Sequence, residues 1–237
     1  DGPATDQGEL SLGRNLLVAL SAIVFQVFLA LVIAYCLVRI VPAFSRIFLF
    51  FYLVPVMVSE ICIGLLWRFM YNPYFGLVNA ALKAVGLDSL KRGWLGEAET
   101  AFLAVVVVMS FTYLGLYVLL FTAAVRSVPE SVYEAAELDG AGDIRKFFSI
   151  TVPMVWDAVR ANSLLAIIGS LKTFSLVFVL TNGGPSHASE VVSTYLYKMG
   201  FGSFQMGYAA TIVFVQMVLT ALAAWVVFRF LRRKGDA

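Results

Sequence analysis

The sequence has 237 residues, of which 61% are hydrophobic and only 14% are charged, and its mean hydropathy is +0.88. Soluble domains are roughly half apolar and about a quarter charged, so the composition excludes an ordinary soluble domain and indicates several membrane crossings. The formal net charge of +2 says little, because in membrane proteins the distribution of Lys and Arg matters more.

Five apolar segments are long enough to cross a bilayer, which takes roughly 20 residues per helix. The predicted spans are residues 15–38, 47–70, 100–123, 156–180 and 208–231. Helices are predicted because backbone groups in lipid must be satisfied within their own segment. The alternating pattern of a membrane barrel is absent. The predicted fold class is therefore all-α, a polytopic transmembrane helical bundle.

The basic residues predict the orientation, since Lys and Arg are more frequent in cytoplasmic loops. One set of connections holds ten of them and the other holds five. The richer set is Arg39, Arg46, Arg126, Arg145, Lys146, Arg160, Arg229, Arg232, Arg233 and Lys234. We therefore expect residues 1–14 to be extracytoplasmic, residues 15–231 to form the transmembrane domain with a cytoplasmic loop at 126–155, and residues 232–237 to form a cytoplasmic tail. An outside start without a basic leader leads us to expect a further span upstream of residue 1.

Thiol and imidazole groups give no sign of a metal site. Cys36 and Cys62 lie in apolar segments, where we expect small core thiols, and the single histidine, His187, cannot hold a metal alone. We expect no cofactor in this chain.

The loop between the third and fourth spans contains the most polar helix-forming stretch, EAAELDGAG at residues 134–142. Pro129 can open a helix, and Gly140 and Gly142 supply stop signals. Asp143 could cap a second short helix that Pro153 would end. The loop is thus predicted to be two short helices around a glycine corner.

An acidic stripe runs along the first of these helices, because Glu130, Glu134 and Glu137 recur at spacings of four and three. Ala135 and Ala136 leave one face small enough to fit a groove. The stripe is either a solvated connection or a docking element for another protein, and the residues alone leave both open.

A longer pattern bears on this choice. Glu134, Ala135 and Ala136, followed by Gly140, Ile150 and Pro153, resemble the signature E-A-A, three residues, G, nine residues, I, one residue, L-P of binding-protein-dependent ABC importer permeases. Val152 stands where that family usually has Leu. The resemblance implies the fold of a type I importer permease, with this loop, including Asp139, as the coupling helix that seats in a separate ATPase. On that reading Glu134→Lys should uncouple ATP hydrolysis from uptake.

Other stretches resemble the carbohydrate-uptake subfamily, in particular the first of the paired maltose, lactose or glycerol-3-phosphate permeases. They are TNGGPSHASEVVSTYLYKMGF at 181–201, SLKTFSLVFVL at 170–180, LLWRFMYNPYFGLVNAALKAVGL at 65–87 and GYAAT at 207–211. The resemblance implies import of a sugar, oligosaccharide or polyol across a bacterial or archaeal cytoplasmic membrane. It also implies three protein partners: a second homologous permease, a cytoplasmic ATPase dimer and an extracytoplasmic solute-binding protein. Membrane lipid surrounds the chain, and no nucleic acid is expected.

No phosphate-binding loop of the form G-x-x-x-x-G-K-[ST] occurs in the sequence. If the chain imports a solute with ATP, the partner ATPase must therefore bind the ATP and Mg²⁺.

Polar residues inside the spans predict a translocation path, because an ionisable group near the bilayer centre usually faces a cavity or a partner. Sugars need hydrogen-bonding groups and aromatic faces. The predicted path residues are Glu60, Tyr113, Tyr117, Ser170, Lys172, Thr173 and Phe174. Glu60 lies just after a kink that is expected at Pro55. For Glu60 and Lys172 a structural pair, or contact with another subunit, is an equal alternative. Arg68, near a span end, is interpreted as an interfacial anchor.

The outer loop TNGGPSHAS has the composition of a turn. Thr181, Gly183, Gly184 and Pro185 either form a tight, buried turn or contact the binding protein.

Alternatives to a carbohydrate permease remain at this point. They are an ABC permease for another solute such as phosphate or peptides, an ion-coupled carrier that uses Glu60, and a membrane scaffold without transport. The TNGGPS segment argues against the first, the loop signature argues against the second, and the polar groups of the fourth span argue against the third.

Overall fold

The computed structural model describes residues 3–230, with side chains for 11–229. These residues are almost entirely helical. The principal helices are α1 (Ser11–Ile40, continuous with a helical start at Pro3), α2 (Ser45–Met57), α3 (Glu60–Met70), α4 (Leu77–Ala84), α5 (Ala98–Arg126), α6 (Glu130–Leu138), α7 (Asp143–Met154), α8 (Trp156–Leu171), α9 (Ser175–Leu180), α10 (Val192–Tyr197) and α11 (Met206–Phe230). The all-α prediction is confirmed. The predicted tail at 232–237 lies outside the described residues.

Three predicted spans are confirmed as single long helices, namely α1, α5 and α11. Each is longer than the roughly 20 residues that a bilayer core requires. Helix α5 lies at the centre and packs against α1, α2, α8 and α9. Helix α11 is almost wholly exposed, since only 6% of its most apolar stretch is buried.

The second predicted span is broken rather than straight. Helices α2 and α3 meet at 100°, and the break lies at Val58 and Ser59, whose backbones are extended. The kink expected at Pro55 is wrong in position, because α2 continues through Pro55 to Met57. Glu60 is consequently the first residue of α3 and lies in its first turn.

The fourth predicted span is also divided. Helix α8 ends at Leu171, three residues without helical structure follow, and α9 begins at Ser175. At its other end, α8 meets α7 at 76°. A break inside a span leaves backbone groups without helical partners, and such breaks are tolerated where they face protein or a cavity.

Two apolar clusters hold the bundle together at its opposite ends. The first joins Tyr35 of α1, Phe121 of α5 and Tyr133 of α6 with neighbouring residues. The second joins Val105 and Met109 of α5 to α3 and α9. Gly115 lies where α5 crosses α2, and a Cβ there would come within 1.7 Å of the carbonyl oxygen of Tyr52. The crossing therefore requires glycine.

Candidate functional site: an inner cavity and a clamped loop

A cavity of about 420 Å³ lies between the two clusters, at the break between α8 and α9. All seven predicted path residues line it. They are Glu60, Tyr113, Tyr117, Ser170, Lys172, Thr173 and Phe174. The cavity thus combines two tyrosine rings and a phenylalanine ring with hydroxyl, carboxylate and ammonium groups. This mixture suits a ligand that has both polar groups and a ring face.

Glu60 and Lys172 face the same cavity without pairing within the described part of the chain. The Tyr113 hydroxyl donates a hydrogen bond to the Glu60 carboxylate. Lys172 is exposed and makes no ion pair with a described residue. The two side chains therefore do not pair with each other, and the Glu60 carboxylate accepts its hydrogen bond from a tyrosine instead.

Sequence reasoning missed Gln26, which also lines the cavity from α1. Its side chain is 5% exposed. A lone amide in the apolar run AIVFQVFLAL was the signal that could have found it, since a polar group within a span usually faces a cavity. Gln26 adds a donor and an acceptor on the wall formed by α1.

Side-chain amides brace the helix break beside the cavity. The Leu171 carbonyl oxygen, left without a helical partner, accepts hydrogen bonds from Asn15 Nδ2 at 3.0 Å and from Gln216 Nε2 at 2.7 Å. The Asn15 Oδ1 atom also accepts the backbone N–H of Val192 at 2.9 Å. Helices α1, α8, α10 and α11 are thereby joined at the one point where α8 stops.

The loop between α5 and α8 consists of α6 and α7 around a glycine corner, as predicted. Gly140 has φ +73°, the N–H of Gly140 bonds to the Glu137 oxygen, and the N–H of Ala141 bonds to the Ala136 oxygen. This is the Schellman arrangement that ends a helix. Gly142 precedes α7, so Asp143 lies in its first turn and is not its cap. Pro153 lies within α7 and does not end it.

The signature residues divide into an exposed set and a packed set. Glu134, Ala135, Asp139, Gly140 and Pro153 are exposed, whereas Ala136 and Ile150 are half-buried. Two large apolar side chains beside them are also exposed, Leu138 at 90% and Ile144 at 78%. The exposed face of the loop therefore mixes acidic, small and apolar groups.

Two clamps hold this loop in shape, and the first of them also ties it to α1. Tyr133 is 1% exposed, its hydroxyl lies 2.8 Å from Thr151 Oγ1, and the Arg39 guanidinium lies 3.9 Å from its ring centroid. Arg39 also pairs with Glu130 at 2.5 Å. Of the acidic stripe, only Glu134 makes no ion pair with a described residue.

The second clamp joins α7 to α6, since Lys146 Nζ lies 2.6 Å from Glu137 Oε1. The hydrogen bond from Lys146 lowers the pKa of Glu137, and the bond from Arg39 likewise lowers the pKa of Glu130. A lowered carboxylate pKa stabilises the folded loop above the unfolded pKa, and this stabilisation is lost as pH falls through the folded pKa. Both clamps are therefore intact at neutral pH.

The turn that follows α9 is tightly built. The Thr181 hydroxyl lies 2.7 Å from Ser189 Oγ, and Ser189 Oγ donates to the Gly184 carbonyl oxygen at 2.7 Å. Gly183 is buried with φ +81°, and Pro185 is half-buried. The buried Glu190 carboxylate pairs with Lys198 at 2.6 Å and with His187. The turn is therefore held closed by hydrogen bonds among its own residues.

Other sequence expectations have mixed outcomes. Cys36 is half-buried, but Cys62 is exposed, so the expectation that both are core thiols is wrong for Cys62. Arg68 is exposed at the mouth of a second cleft beside Thr181, rather than only at an interface.

Comparison with known proteins identifies the family. The profile of the binding-protein-dependent transport system inner membrane component matches residues 26–235. This chain belongs to that family. It is thus a permease subunit of an ABC transporter, and an ion-coupled carrier and a passive scaffold are both excluded.

Among curated relatives, the permease is 39% identical to the probable ABC transporter permease protein YurN of Bacillus subtilis, over 94% of this chain and 76% of that protein. It is 38% identical to the diacetylchitobiose uptake system permease protein NgcF of Streptomyces coelicolor, over 81% of this chain and 54% of that protein.

Among solved structures, a bacterial ABC transporter involved in the import of the acidic polysaccharide alginate matches all of this chain and 82% of its own, with a TM-score of 0.85 and 18% identity. At this identity the match shows the fold alone, which is that of an ABC importer permease.

Proposed function

We propose that this permease carries a carbohydrate through the inner cavity by alternating access, driven by ATP that a partner chain hydrolyses. The observation that carries the proposal is the convergence of Glu60, Tyr113, Tyr117, Ser170 and Thr173 on one cavity, together with Phe174 and Lys172. Pyranose rings present an apolar face and a rim of hydroxyls. Aromatic rings beside hydrogen-bonding groups match both parts of such a ligand.

Relatives support the carbohydrate class. One relative is named for diacetylchitobiose uptake, and another, 27% identical over 90% of this chain, is named a multiple sugar-binding transport system permease, from Streptococcus mutans. A permease for phosphate or peptides is the weaker candidate, because a cavity with one ammonium group and two tyrosines is less suited to a polyanion or a peptide backbone.

Coupling is proposed to act through the exposed face of α6 and the corner after it. Glu134, Asp139 and Leu138 are exposed there, while the clamps at Tyr133 and Lys146 join α6 to α7, and Arg39 ties Tyr133 to α1. A rigid attachment of this kind can transmit movement of a docked ATPase to the cavity. ATP and Mg²⁺ would be bound by that ATPase dimer and not by this chain.

The remaining partners and the location follow from the same assignment. A second homologous permease would cover the exposed α11, and a solute-binding protein would deliver the carbohydrate to the outer turn at Thr181, Gly183, Gly184 and Pro185. The membrane is the bacterial or archaeal cytoplasmic membrane. The loop at 126–155 and the C-terminus would be cytoplasmic, since the connections on that side hold most of the basic residues.

Uptake by two cavity variants tests the proposal. Ser170→Leu fills the cavity with an apolar side chain and removes a hydroxyl, and Tyr117→Ala removes an aromatic face. Both variants, assembled with their partner subunits, are expected to lose more than about 90% of carbohydrate uptake, because a missing contact of 1.4 kcal/mol or more costs about tenfold. Unchanged uptake in both variants removes this cavity as the path.

A further inference from the structure

A second cleft, of about 440 Å³, opens at the end of the bundle opposite α6. Its walls are the end of α3 with the residues after it, the turn before α5, and the end of α9 with Asn182. We call it the outer cleft. The residues that matter for its chemistry are Arg68, Asn72, Phe178 and Asn182.

The outer cleft is rich in hydrogen-bond donors. Arg68 is exposed and makes no ion pair within the described residues, and none of the side chains that line the cleft is a carboxylate. The Asn72 Oδ1 atom accepts the backbone N–H groups of Tyr74 and Phe75, which leaves its amide N–H₂ as a donor. The lining is therefore suited to an anionic ligand that brings acceptor oxygens.

The nearby acid Glu97 is already engaged elsewhere. The Glu97 carboxylate accepts the backbone N–H of Gly93 at 2.6 Å and lies 3.8 Å from the Arg92 guanidinium. Glu97 does not line the outer cleft. The positive charge of Arg68 thus remains available to a ligand.

Rigid packing keeps the cleft open in a fixed shape. The Tyr71 hydroxyl donates to the Ala104 carbonyl oxygen at 3.3 Å, and the Tyr71 ring packs against Trp67 and Trp94. A Cβ at Gly64 would lie 2.8 Å from Val179, so α3 and α9 are in close contact. Little ordering is needed before a ligand can bind.

Aromatic rings connect the outer cleft with the inner cavity. Phe178 lines the outer cleft and Phe174 lines the inner cavity, one helical turn away. The two rings are stacked, with centroids 5.1 Å apart and planes inclined by 22°, and Tyr197 packs against both. The linings of the two cavities are therefore in direct contact through these rings.

We propose that the outer cleft is a binding subsite for a carboxylate-bearing carbohydrate, which it holds before the ligand reaches the inner cavity. Arg68 binds the sugar carboxylate, Asn72 donates to its oxygens, and Phe178 supports the ring face. The proposal rests on the carbohydrate function of the inner cavity and adds to it the charge class of the ligand.

Binding to the complete transporter in zwitterionic lipid nanodiscs, without ATP, tests the subsite. The probes are trigalacturonate and neutral galactotriose, and the measurement is titration calorimetry. The wild type is expected to bind the acid about tenfold more tightly than the neutral sugar, and Arg68→Gln is expected to abolish this difference while sparing neutral binding. Phe178→Leu, which keeps the packing volume, should weaken binding of both. The matched control is Arg92→Gln. It removes an arginine at the same end of the bundle that does not line the outer cleft, and it should leave both affinities unchanged.

Equal or absent binding of the acid by the wild type, or full acid preference in Arg68→Gln, overturns the proposal. If Arg68 instead holds a lipid phosphate, the wild type will show no preference for the acid, in zwitterionic nanodiscs and in nanodiscs with anionic lipid alike. Ser170→Leu separates the two sites, since it should keep the Arg68-dependent preference for trigalacturonate and yet fail to import. Normal import by Ser170→Leu with an Arg68-dependent acid preference would refute the inner cavity and leave the outer cleft standing.

Discussion

Single atoms decide several features of this permease. The carbonyl oxygen of Tyr52 lies where a Cβ of residue 115 would be, and the Leu171 oxygen is held by two side-chain amides. At both places a helix surface or a helix end departs from regular structure. Substitutions at these two places change stability in ways that the hydropathy of the sequence does not predict.

Gly115→Ala tests the helix crossing. The added methyl would lie 1.7 Å from the Tyr52 oxygen, so α2 and α5 must separate. Overpacking of this kind costs about 1–3 kcal/mol or more. We expect a lowered thermal unfolding temperature of the purified permease. Gly207→Ala, where an added methyl meets nothing within 4 Å, is the matched control, and an equal melting temperature for the two variants would contradict this account.

Glu60→Gln tests whether the carboxylate is needed as a charge. An amide at this position can still accept the hydrogen bond from Tyr113 and line the cavity. ATP-driven uptake by the assembled transporter should therefore persist within about threefold, since less than 1 kcal/mol is at stake. Complete loss of uptake, with normal assembly, would mean that Glu60 carries a proton or binds the ligand as an anion.

At the scale of elements, the loop of α6 and α7 is both clamped and exposed. Tyr133 and Lys146 bury one side, and Glu134 and Leu138 leave the other free. The sequence pattern predicted the two helices and the corner, because a glycine such as Gly140 is itself a signal for the end of a helix. The role of Tyr133 as an anchor could not be predicted, since its partner Arg39 comes from α1, far away in the sequence.

Glu134→Lys tests the docking face. The residue is exposed and makes no ion pair with a described residue, so the change should leave the permease folded. A reversed charge on the docking face should lower ATP-dependent uptake at least about tenfold, because unfavourable charge pairs at an interface cost several kcal/mol. Pull-down of the ATPase and uptake are measured together. Glu99→Lys, an exposed acid at the far end of α5, serves as the control, and equal effects of the two changes would refute the docking role.

The Tyr133 clamp is tested by a graded pair of variants. Tyr133→Phe removes the bond to Thr151 and keeps the ring under Arg39, a loss of about 1 kcal/mol. Tyr133→Ala also empties a buried site, a loss of about 3–5 kcal/mol. We expect Tyr133→Phe to retain coupling, and Tyr133→Ala to hydrolyse ATP without matching uptake. Tight coupling in Tyr133→Ala would show that the clamp does not transmit motion.

At the scale of the whole molecule, the sequence predicted the membrane class and five spans, of which three are single helices, and its seven predicted path residues all line the inner cavity. The seven residues lie together because polar residues in an apolar span have few places to face. The positions of the two breaks could not be predicted, since hydropathy is an average over about 20 residues, the first break lies after Pro55 rather than at it, and the break at Lys172–Phe174 contains neither Gly nor Pro. Gln26 and the Asn15 brace depend on contacts between helices far apart in the chain.

The broken spans matter for function because they place polar groups at mid-bundle depth. The end of α8 brings Ser170, Lys172 and Thr173 to the cavity, and the break before α3 does the same for Glu60. A continuous helix would spread these side chains over several faces. The inner cavity is thus formed by the two helix breaks.

The most direct test of the account is import by the purified transporter, reconstituted in proteoliposomes with its solute-binding protein and a panel of labelled oligosaccharides. The account predicts that import requires ATP on the side of the α6 loop, survives a proton ionophore, and is lost in Ser170→Leu while the complex stays assembled. Import that proceeds without ATP, or that is as fast in Ser170→Leu as in the wild type, would contradict it.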